Sequence, residues 1–283
     1  MVDASEFYII YDEVCEECTQ RWSPEMQREV AQHCHGWSPE LFDFTSYFRS
    51  SSVRFYAAYQ KLKEQFPSNA TVCDVGGFGG VFPIVLSRLG YEVFMTESLE
   101  YYSAAFDPLF SYVENHGVTV IDYDPFGADK VPKLKIDFLT CMAVLEHYPH
   151  SPSLFMENIK QLLKVSGVAL FEVPNIAYWE NRKKLLFGVS PLVPIEHIFR
   201  SKTPFIGHHH EYAKDELLTL MRLSDFHVLD VDTYNYSRVL PNGFLEMIKH
   251  IKASSMSEVI FDITTALFPN TRECISVVVK SNF

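Results

Sequence analysis

The most constraining feature of this sequence is a glycine-dense turn that joins two apolar runs. Residues 71–75 form a short apolar run that contains Asp74, residues 76–80 include four glycines, and residues 81–86 are apolar again. This order predicts a strand, a tight turn and the start of a helix. Because glycine has no Cβ, such a turn lets the backbone approach a ligand closely. The turn therefore indicates a ligand site directly after a strand.

A second acid lies where a nucleotide would need it. The apolar run at residues 91–96 ends at Glu97, about 20 residues beyond the turn, which is the usual place of the acid that binds a ribose hydroxyl pair. A carboxylate suits this task because it has two acceptor oxygens and no competing donor. The spacing therefore predicts a nucleotide-type ligand.

Strand and helix patterns alternate from residue 70 onward, which predicts an α/β fold with a largely parallel sheet and helices on both faces. We expect strands near residues 71–75, 91–96, 118–121, 136–141, 167–173, 226–232 and 275–280. We expect helices near residues 80–89, 100–116, 152–164 and 214–224. Residues 175–212, with several prolines and glycines, are predicted to form a lid insertion, and residues 240–270 a helical excursion.

Residues 1–66 are predicted to form a helical N-terminal cap that precedes the main domain at residues 67–283. Helix-start signals occur at Ser23-Pro24-Glu25 and at Ser38-Pro39-Glu40, where serine can cap the helix and proline fits its first turn. Aromatic residues are frequent in this segment. They indicate either a face packed on the main domain or a substrate-binding lid.

Composition limits the partners. The chain has 283 residues, 47% of them apolar, which is ample for a core, and its net charge of −12 argues against binding along a phosphate backbone. No window approaches the roughly 18 consecutive apolar residues of a membrane span, and residues 1–6 lack the basic and apolar regions of a signal peptide. We expect a cytoplasmic protein with a small-molecule acceptor and neither nucleic-acid nor membrane partners.

The six cysteines do not predict a metal site. Three lie in apolar strand-like runs, which is typical of buried thiols. Cys15 and Cys18, followed by Cys34 and His35, partly match a zinc pattern, but no second pair of ligands completes it. We therefore predict no metal ligands and expect these cysteines to face neighbouring helices.

Five segments together resemble a known family, the class I S-adenosylmethionine-dependent methyltransferases, over residues 70–281. They are residues 74–80, Glu97, Asp122-Tyr123, residues 137–147 and residues 162–167. The resemblance implies a Rossmann-like seven-stranded sheet and the cofactor S-adenosyl-L-methionine. Within the family it is closest to a bacterial small-molecule subgroup often associated with sugars or surface glycans.

The resemblance also implies roles for individual residues. Asp74 would fix the amino acid end of the cofactor, Glu97 would bind the ribose, and Asp122 would take the adenine amino group while Tyr123 packs on the base. Asp124 leaves that last register open. The predicted cofactor-binding residues are Asp74, Gly76, Gly77, Phe78, Gly80, Glu97, Ser98, Asp122, Tyr123, Met142 and Glu146.

One residue departs from the family pattern, because Phe78 occupies the place of the middle glycine. A ring there would lie where the methionine part of the cofactor comes close to the backbone, and would tighten or redirect it. A dinucleotide-binding dehydrogenase is the natural competitor, since it shares the glycine turn and the downstream acid. Asp74, two residues before the first glycine, argues against it because a carboxylate there would repel a pyrophosphate.

The candidate catalytic residues are His147, His208 and Tyr212. His147 follows the fourth strand, where open α/β sheets bind ligands, and an imidazole titrates near neutrality. The run from His208 to His210 invites a metal interpretation, but adjacent side chains point apart and seldom bind one ion together. We expect His208 and Tyr212 to border the acceptor pocket.

We expect a methyltransferase that acts on a small molecule, with O-methylation of a sugar or metabolite preferred. Methyl transfer from a sulfonium needs the nucleophile, methyl carbon and sulfur in line, and a hydroxyl acceptor also needs a base. One alternative is an enzyme of the same fold that transfers another group or cyclises the cofactor, releasing methylthioadenosine. The other is a non-catalytic binding protein.

Overall fold

Seven strands form the sheet around which the chain is arranged, in a computed structural model that describes residues 4–34, 43–67, 69–127, 130–238, 250 and 254–281. The strands are β1 (Thr71–Val75), β2 (Glu92–Glu97), β3 (Val118–Asp122), β4 (Ile136–Met142), β5 (Leu163–Pro174), β6 (Phe226–Tyr234) and β7 (Cys274–Ser281). Every predicted strand is present within a few residues of its expected bounds.

The order of the strands is β3-β2-β1-β4-β5-β7-β6. The first five are parallel, and β7 runs antiparallel between β5 and β6. The chain therefore reverses direction across the sheet between β1 and β4, and the crevice at the carboxyl ends of these two strands is where open α/β sheets bind ligands. This is the predicted Rossmann-like seven-stranded sheet, and the prediction is confirmed.

Helices cover both faces of the sheet. They are α1 (Ala4–Gln20), α2 (Pro24–Cys34), α3 (Phe44–Gln65), α4 (Val81–Arg88), α5 (Asp107–Asn115), α6 (Pro152–Leu162), α7 (Trp179–Leu186), α8 (Ile195–Arg200), α9 (Lys214–Leu223) and α10 (Met256–Leu267). One apolar cluster joins α1, α3, α4 and α5 to one face, and a second joins α6 and α9 to the other. The helices predicted at residues 80–89, 152–164 and 214–224 are present as α4, α6 and α9, within two residues of their expected bounds. The fourth predicted helix differs.

That difference is the helix expected at residues 100–116, which begins only at Asp107. Two short 3₁₀ turns, Leu99–Tyr101 and Ala104–Phe106, precede it. The Ser103 hydroxyl accepts a hydrogen bond from the Ala105 backbone N–H at 3.2 Å and so starts a separate turn. Pro108 then occupies the first turn of α5, where a missing N–H costs nothing.

The N-terminal helices share the core of the sheet. Phe7 and Tyr11 of α1 are completely buried, and the Tyr11 hydroxyl donates to the backbone oxygen of Phe48 at 2.6 Å. Phe55 of α3 stacks on Phe82 of α4 with 4.7 Å between ring centroids. The aromatic residues of the cap thus pack on the main domain, and the boundary at residue 67 stays a prediction. The helix start at Ser38 lies outside the described residues.

The predicted lid holds α7 and α8, neither of which has a buried side chain. Of the predicted excursion at residues 240–270, the structure describes α10, and the residues before it lie mostly outside the described part. No described helix is both long and apolar enough to cross a bilayer.

Candidate active site

The glycine turn after β1 is shaped by steric demands that only glycine meets. Gly76 and Gly80 have φ angles of +69° and +71°, in the left-handed region that favours glycine. A Cβ on Gly80 would lie 2.3 Å from a Val113 methyl carbon, and one on Gly77 would lie 2.6 Å from the Met95 side chain. The turn therefore lies directly against β2 and α5, and its outer side is left open towards the ligand crevice.

Asp74 is buried at the carboxyl end of β1. Its Oδ1 accepts a hydrogen bond from the Thr140 hydroxyl of β4 at 2.6 Å. Burial raises the pKa of Asp74 to about 7, against the effect of the Thr140 hydrogen bond, and the nearby Glu97 charge raises it further. A carboxylate held in this way is complementary to an ammonium group.

Arg54 is a functional candidate that the sequence did not predict. It projects from α3 into the same narrow cavity as Asp74 and the glycine turn. Its Nε and Nη2 donate to the Glu172 carboxylate of β5 at 2.7 to 3.1 Å. Burial disfavours its charge, but Glu172 keeps the pKa of Arg54 well above its usual value. The cavity thus presents a cation and an anion, which match the carboxylate and ammonium of an amino acid.

Glu97 ends β2 and faces the crevice. Its Oε1 accepts the backbone N–H of Phe78 at 2.5 Å, and its Oε2 accepts the Tyr102 hydroxyl at 3.0 Å. Burial raises the pKa of Glu97 to about 7, although both hydrogen bonds lower it. Each carboxylate oxygen can accept a second hydrogen bond, so the group retains capacity for a pair of ligand hydroxyls.

The Phe78 ring packs towards the cap. Its backbone has a φ angle of +47°, which is rare for a residue with a large side chain and explains why glycine suits this position. The ring lies 5.5 Å from Trp22 and 6.2 Å from Phe48, measured between centroids. These aromatic contacts hold the turn against the N-terminal helices while the Phe78 N–H binds Glu97.

A cavity of about 550 Å³ runs from the glycine turn along the carboxyl ends of β2 and β4. Of the predicted site residues, it is lined by Gly76, Phe78, Glu97, Ser98, Met142 and His147. Residues other than the predicted cofactor-binding and catalytic ones complete the wall, among them Thr96, Tyr101, Phe126, Ala143, Val144, Phe205 and Ile206. Most of this wall is apolar or aromatic, which suits the base of a nucleoside and a partly apolar acceptor.

Two predicted adenine contacts are placed elsewhere. The Asp122 side chain is exposed and its Oδ1 accepts the Leu99 backbone N–H at 3.0 Å, so it organises the loop after β2. Tyr123 is buried in the second apolar cluster. Asp124 lines the cavity instead, and its Oδ1 accepts the Phe126 N–H at 2.8 Å. Successive side chains at a strand end point in different directions, so the sequence alone could not decide whether Asp122 or Asp124 faces the cavity.

A buried hydroxyl supports the fit of a nucleoside to this cavity. Thr96 lies one residue before Glu97, lines the cavity and is fully buried, yet its Oγ1 makes no hydrogen bond within the described part of the chain. Buried polar groups are seldom left unpaired without a reason. Together with Asp74, Arg54 and Glu97, it forms a set of donors and acceptors that fits an amino acid joined to a ribose.

Glu146, His147 and His208 meet beyond the carboxyl end of β4, where His147 lines the cavity. His147 Nδ1 lies 2.7 Å from the Ile206 backbone oxygen, and its ring is 4.8 Å from that of His208. His208 Nε2 lies 3.9 Å from Glu146 Oε1, and its Nδ1 lies 3.2 Å from Glu211 Oε1. The two segments are also joined through the backbone, because the His209 N–H donates to the backbone oxygen of Glu146 at 2.8 Å.

The three groups of this cluster have shifted pKa values. Burial raises the pKa of Glu146 to about 7, opposed by His208. Burial also lowers the pKa of His147 to about 4, and the neighbouring His208 lowers it further, so the His147 ring is neutral at pH 7. Burial works against the charge of His208 as well, but hydrogen bonding to Glu211 and the Glu146 charge raise its pKa.

Tyr212 does not join the cluster. It is buried at 7% exposure in the second apolar core, and burial raises its pKa to about 12. It lines a separate groove with His209 and His210, whose side chains are exposed. Of the three side chains of the histidine run, that of His208 lies beside the Glu146 carboxylate and the other two are exposed, as expected for adjacent residues that point apart.

The N-terminal cysteines behave as apolar residues. Cys15 and Cys18 lie buried in α1 without a disulfide. Burial raises the pKa of Cys18 to about 12, which keeps it a neutral thiol. The Cys34 side chain and His35 lie outside the described residues.

Comparisons with known proteins identify the family to which the chain belongs. A family model described as "Methyltransferase domain" matches residues 44–231. The ubiquinone biosynthesis O-methyltransferase of Paraburkholderia phytofirmans is 29% identical over 174 residues, which are 59% of this chain and 68% of that protein.

Solved structures share the fold at low sequence identity. The magnesium protoporphyrin IX methyltransferase of Synechocystis, with bound SAH, superposes with a TM-score of 0.52 at 13% identity, covering 97% of this chain and 99% of that one. A putative methyltransferase from Haloferax volcanii, in complex with the Trm112 methyltransferase activator, gives a TM-score of 0.54 at 15% identity, covering 83% of this chain and 93% of that one. With the family model covering most of the described sheet, the chain belongs to the class I S-adenosylmethionine-dependent methyltransferases, and S-adenosyl-L-methionine is its cofactor.

Proposed function

We propose that the chain methylates a hydroxyl group of a small molecule, a sugar or another hydroxylated metabolite. The observation that carries this proposal is that His147 lines the cavity and that its ring has ligand atoms of Glu146 and His208 within 4.8 Å. Hydroxyl acceptors, unlike amines, must lose their proton as the new bond forms, and this cluster offers carboxylate and imidazole atoms for that purpose. The named activity of the curated relatives, O-methylation, supports the same reaction class.

In this proposal the cofactor binds along the crevice between β1 and β4. Asp74 holds its ammonium group and Arg54 its carboxylate, both in the narrow cavity beside the glycine turn. Glu97 accepts the ribose hydroxyls, and Asp124 and Phe126 border the base. Met142 and Ala143, at the end of β4, then lie between the cofactor and His147. Alignment of acceptor, methyl carbon and sulfur supplies most of the rate, because it replaces a bimolecular encounter.

His147 is the member of the cluster that lines the cavity. With its Nδ1–H donating to the Ile206 oxygen, its Nε2 carries the free lone pair and faces an acceptor hydroxyl as a hydrogen-bond acceptor. The low pKa of His147 makes it a weak base on its own, so its work is chiefly to orient the hydroxyl. In the transfer the O–CH₃ bond forms, the sulfonium C–S bond breaks, and the hydroxyl proton leaves to the cluster or to solvent.

The test is an acceptor panel with identification of both products. Purified protein is incubated with the cofactor and matched pairs of acceptors that differ only in carrying a hydroxyl or an amine, drawn from sugars and from phenols. We expect a methyl ether and S-adenosylhomocysteine in equal amounts by mass spectrometry. Transfer to the amine member alone would contradict the proposal, and accumulation of methylthioadenosine would replace methyl transfer with another use of the cofactor.

A further inference from the structure

Glu146, His147 and His208 place one ligand atom each within 4.8 Å of one another. Two of these residues are consecutive at the end of β4, and the third comes from the loop before α9, 61 positions after His147. Imidazole nitrogens and carboxylate oxygens are the atoms with which proteins bind divalent metal ions. Side-chain rotation must close these separations before all three groups reach one ion at the usual distance of about 2.0–2.2 Å.

The two histidines are already held as metal ligands usually are. His147 Nδ1 faces the Ile206 backbone oxygen at 2.7 Å, and His208 Nδ1 faces Glu211 Oε1 at 3.2 Å. A ligating histidine typically donates its second ring N–H to a carbonyl or carboxylate, which fixes its tautomer and its orientation. Both rings therefore keep Nε2 for a ligand, and His208 Nε2 lies 3.9 Å from Glu146 Oε1.

Glu146 provides an independent sign of a missing ligand. It is fully buried, and neither of its carboxylate oxygens makes a hydrogen bond within the described residues. A buried carboxylate without hydrogen bonds is strongly destabilising, and such groups in native proteins are normally paired or coordinate a metal. The buried carboxylates Asp74, Glu97 and Glu172, by contrast, each accept at least one hydrogen bond from the protein.

We propose that Glu146, His147 and His208 bind one divalent transition-metal ion. Two imidazoles and one carboxylate favour Zn²⁺ and its neighbours over Mg²⁺, which prefers oxygen ligands. Three protein ligands leave at least one open coordination position, as in catalytic metal sites. His147 lines the cavity, so the metal site adjoins the space proposed for the acceptor.

The chemical role of the ion rests on the proposed function. A divalent ion at this place lowers the pKa of a hydroxyl that approaches it, which helps the acceptor lose its proton to solvent water. The oxygen then forms its bond to the methyl carbon while the sulfur keeps the electron pair of the broken C–S bond. When the ion is bound to His147 Nε2, the ion replaces that lone pair in orienting the acceptor hydroxyl.

Direct metal binding tests the site without reference to activity. The full chain, with any affinity tag removed, is stripped with a chelator, and Zn²⁺ or Mn²⁺ is titrated in by calorimetry. We expect one ion per chain. Glu146→Gln and His208→Ala should each weaken binding by at least about 100-fold, and Glu211→Gln, which removes the partner of His208, by about 10-fold. His210→Ala is the matched control from the same histidine run and should bind as the wild type does.

Absence of binding near one equivalent, or equal losses in the His210→Ala control and the cluster variants, would overturn the metal site. The circular dichroism spectrum of each variant should match that of the wild type, which shows that the variants are folded. The affinity of His208→Ala and His210→Ala for S-adenosylhomocysteine should stay within about twofold of wild type. If the ion binds but no hydroxyl is methylated, the proposed function fails and the site stands. If methyl ethers form at full rate in the presence of chelator, the catalytic role of the ion fails and the proposed function stands.

Discussion

The two ends of the active-site cavity are built differently, although both depend on buried carboxylates. At the cofactor end, Asp74 accepts a hydroxyl from Thr140, and Glu97 accepts donors from Phe78 and Tyr102. At the proposed acceptor end, Glu146 is equally buried, and neither of its carboxylate oxygens makes a hydrogen bond in the described part of the chain. The protein itself thus supplies hydrogen bonds to the carboxylates of the cofactor end, whereas the Glu146 carboxylate is available to the metal ion proposed above.

This difference between the two ends separates groups that stabilise the fold from groups that are kept for a ligand. A paired buried charge contributes to the fold and resists removal, while an unpaired one is retained at a cost that a ligand offsets. Variants of the two ends should therefore have opposite effects on the cofactor-free and metal-free protein. The predictions below test that contrast.

The largest expected effect is on the buried pair that supports the cofactor end. Arg54→Met should leave Glu172 as an uncompensated charge beneath the cap and lower the free energy of unfolding by about 3–5 kcal/mol. Urea denaturation of the cofactor-free protein measures this change. Arg49→Met, an exposed arginine on the same helix, is the control and should change stability by less than about 0.5 kcal/mol. Equal losses of unfolding free energy in the two variants would show that the Arg54–Glu172 pair contributes no more than an exposed arginine does.

The second effect has the opposite sign. Glu146→Met replaces a buried carboxylate that accepts no hydrogen bond, and whose ion-pair contact is the His208 ring at 3.9 Å, by an apolar side chain of similar length. At pH 8, where His208 is largely neutral, the metal-free protein should gain about 1–3 kcal/mol of unfolding free energy. Glu157→Met, on the exposed side of α6, is the control and should have little effect. The same denaturation curves decide the sign. A loss of stability in Glu146→Met would mean that this carboxylate is paired by the protein after all.

These contrasts also show what the sequence made predictable. The cofactor end is encoded locally, because the strand, the glycine turn and Glu97 fall within one strand–helix–strand unit, and its pattern predicted both the fold and the ligand class. Arg54 escaped prediction because its partner, Glu172, lies 118 positions away in the sequence, and nothing local distinguishes one arginine on an aromatic helix. Only the folded chain brings them together.

The proposed acceptor end was predicted only in part, because it too depends on contacts between residues that are distant in the sequence. The sequence predicted His147 and His208 as candidates. Their contact with Glu146 depends on the path of the long connection after β5, and no local sequence pattern predicts that path. Tyr212 was grouped with them by proximity in the sequence, whereas the turn after Glu211 sends it into the core. Asp122 was predicted to line the cavity, but Asp124 does. The sequence pattern locates the end of a strand only to within a few residues, so it could not distinguish the two.

A smaller effect concerns pH at the cofactor end. The pKa values of Asp74 and Glu97, both about 7, lie above those of the unfolded chain, so protonation stabilises the cofactor-free fold below about pH 4, and this contribution is lost as the pH rises through about 7. A bound ammonium and ribose favour the ionised forms. Cofactor affinity should therefore fall by up to about tenfold per pH unit below pH 7 for each group.

Calorimetry with S-adenosylhomocysteine between about pH 6 and 8 measures this dependence. Glu97→Gln should bind more weakly at pH 8 and show a flatter profile, because one of the two titrating groups is gone. A wild-type affinity that does not change with pH would contradict the raised pKa values. It would also mean that the carboxylates of the cofactor end titrate like exposed carboxylates, although the structure buries them.

The smallest effect is expected for Phe78, which joins the cofactor end to the cap. Phe78→Gly relieves a left-handed backbone that costs on the order of 1 kcal/mol, but it loses the ring contacts with Trp22 and Phe48, worth about 2 kcal/mol. We expect a net loss of about 1 kcal/mol of unfolding free energy and less than about a twofold change in cofactor affinity. A double-mutant cycle with Trp22→Leu should give a coupling of about 0.5–1.5 kcal/mol. If stability is unchanged and the affinity instead falls about tenfold or more, the ring serves the cofactor directly, and the cofactor end depends on a side chain that the family pattern lacks.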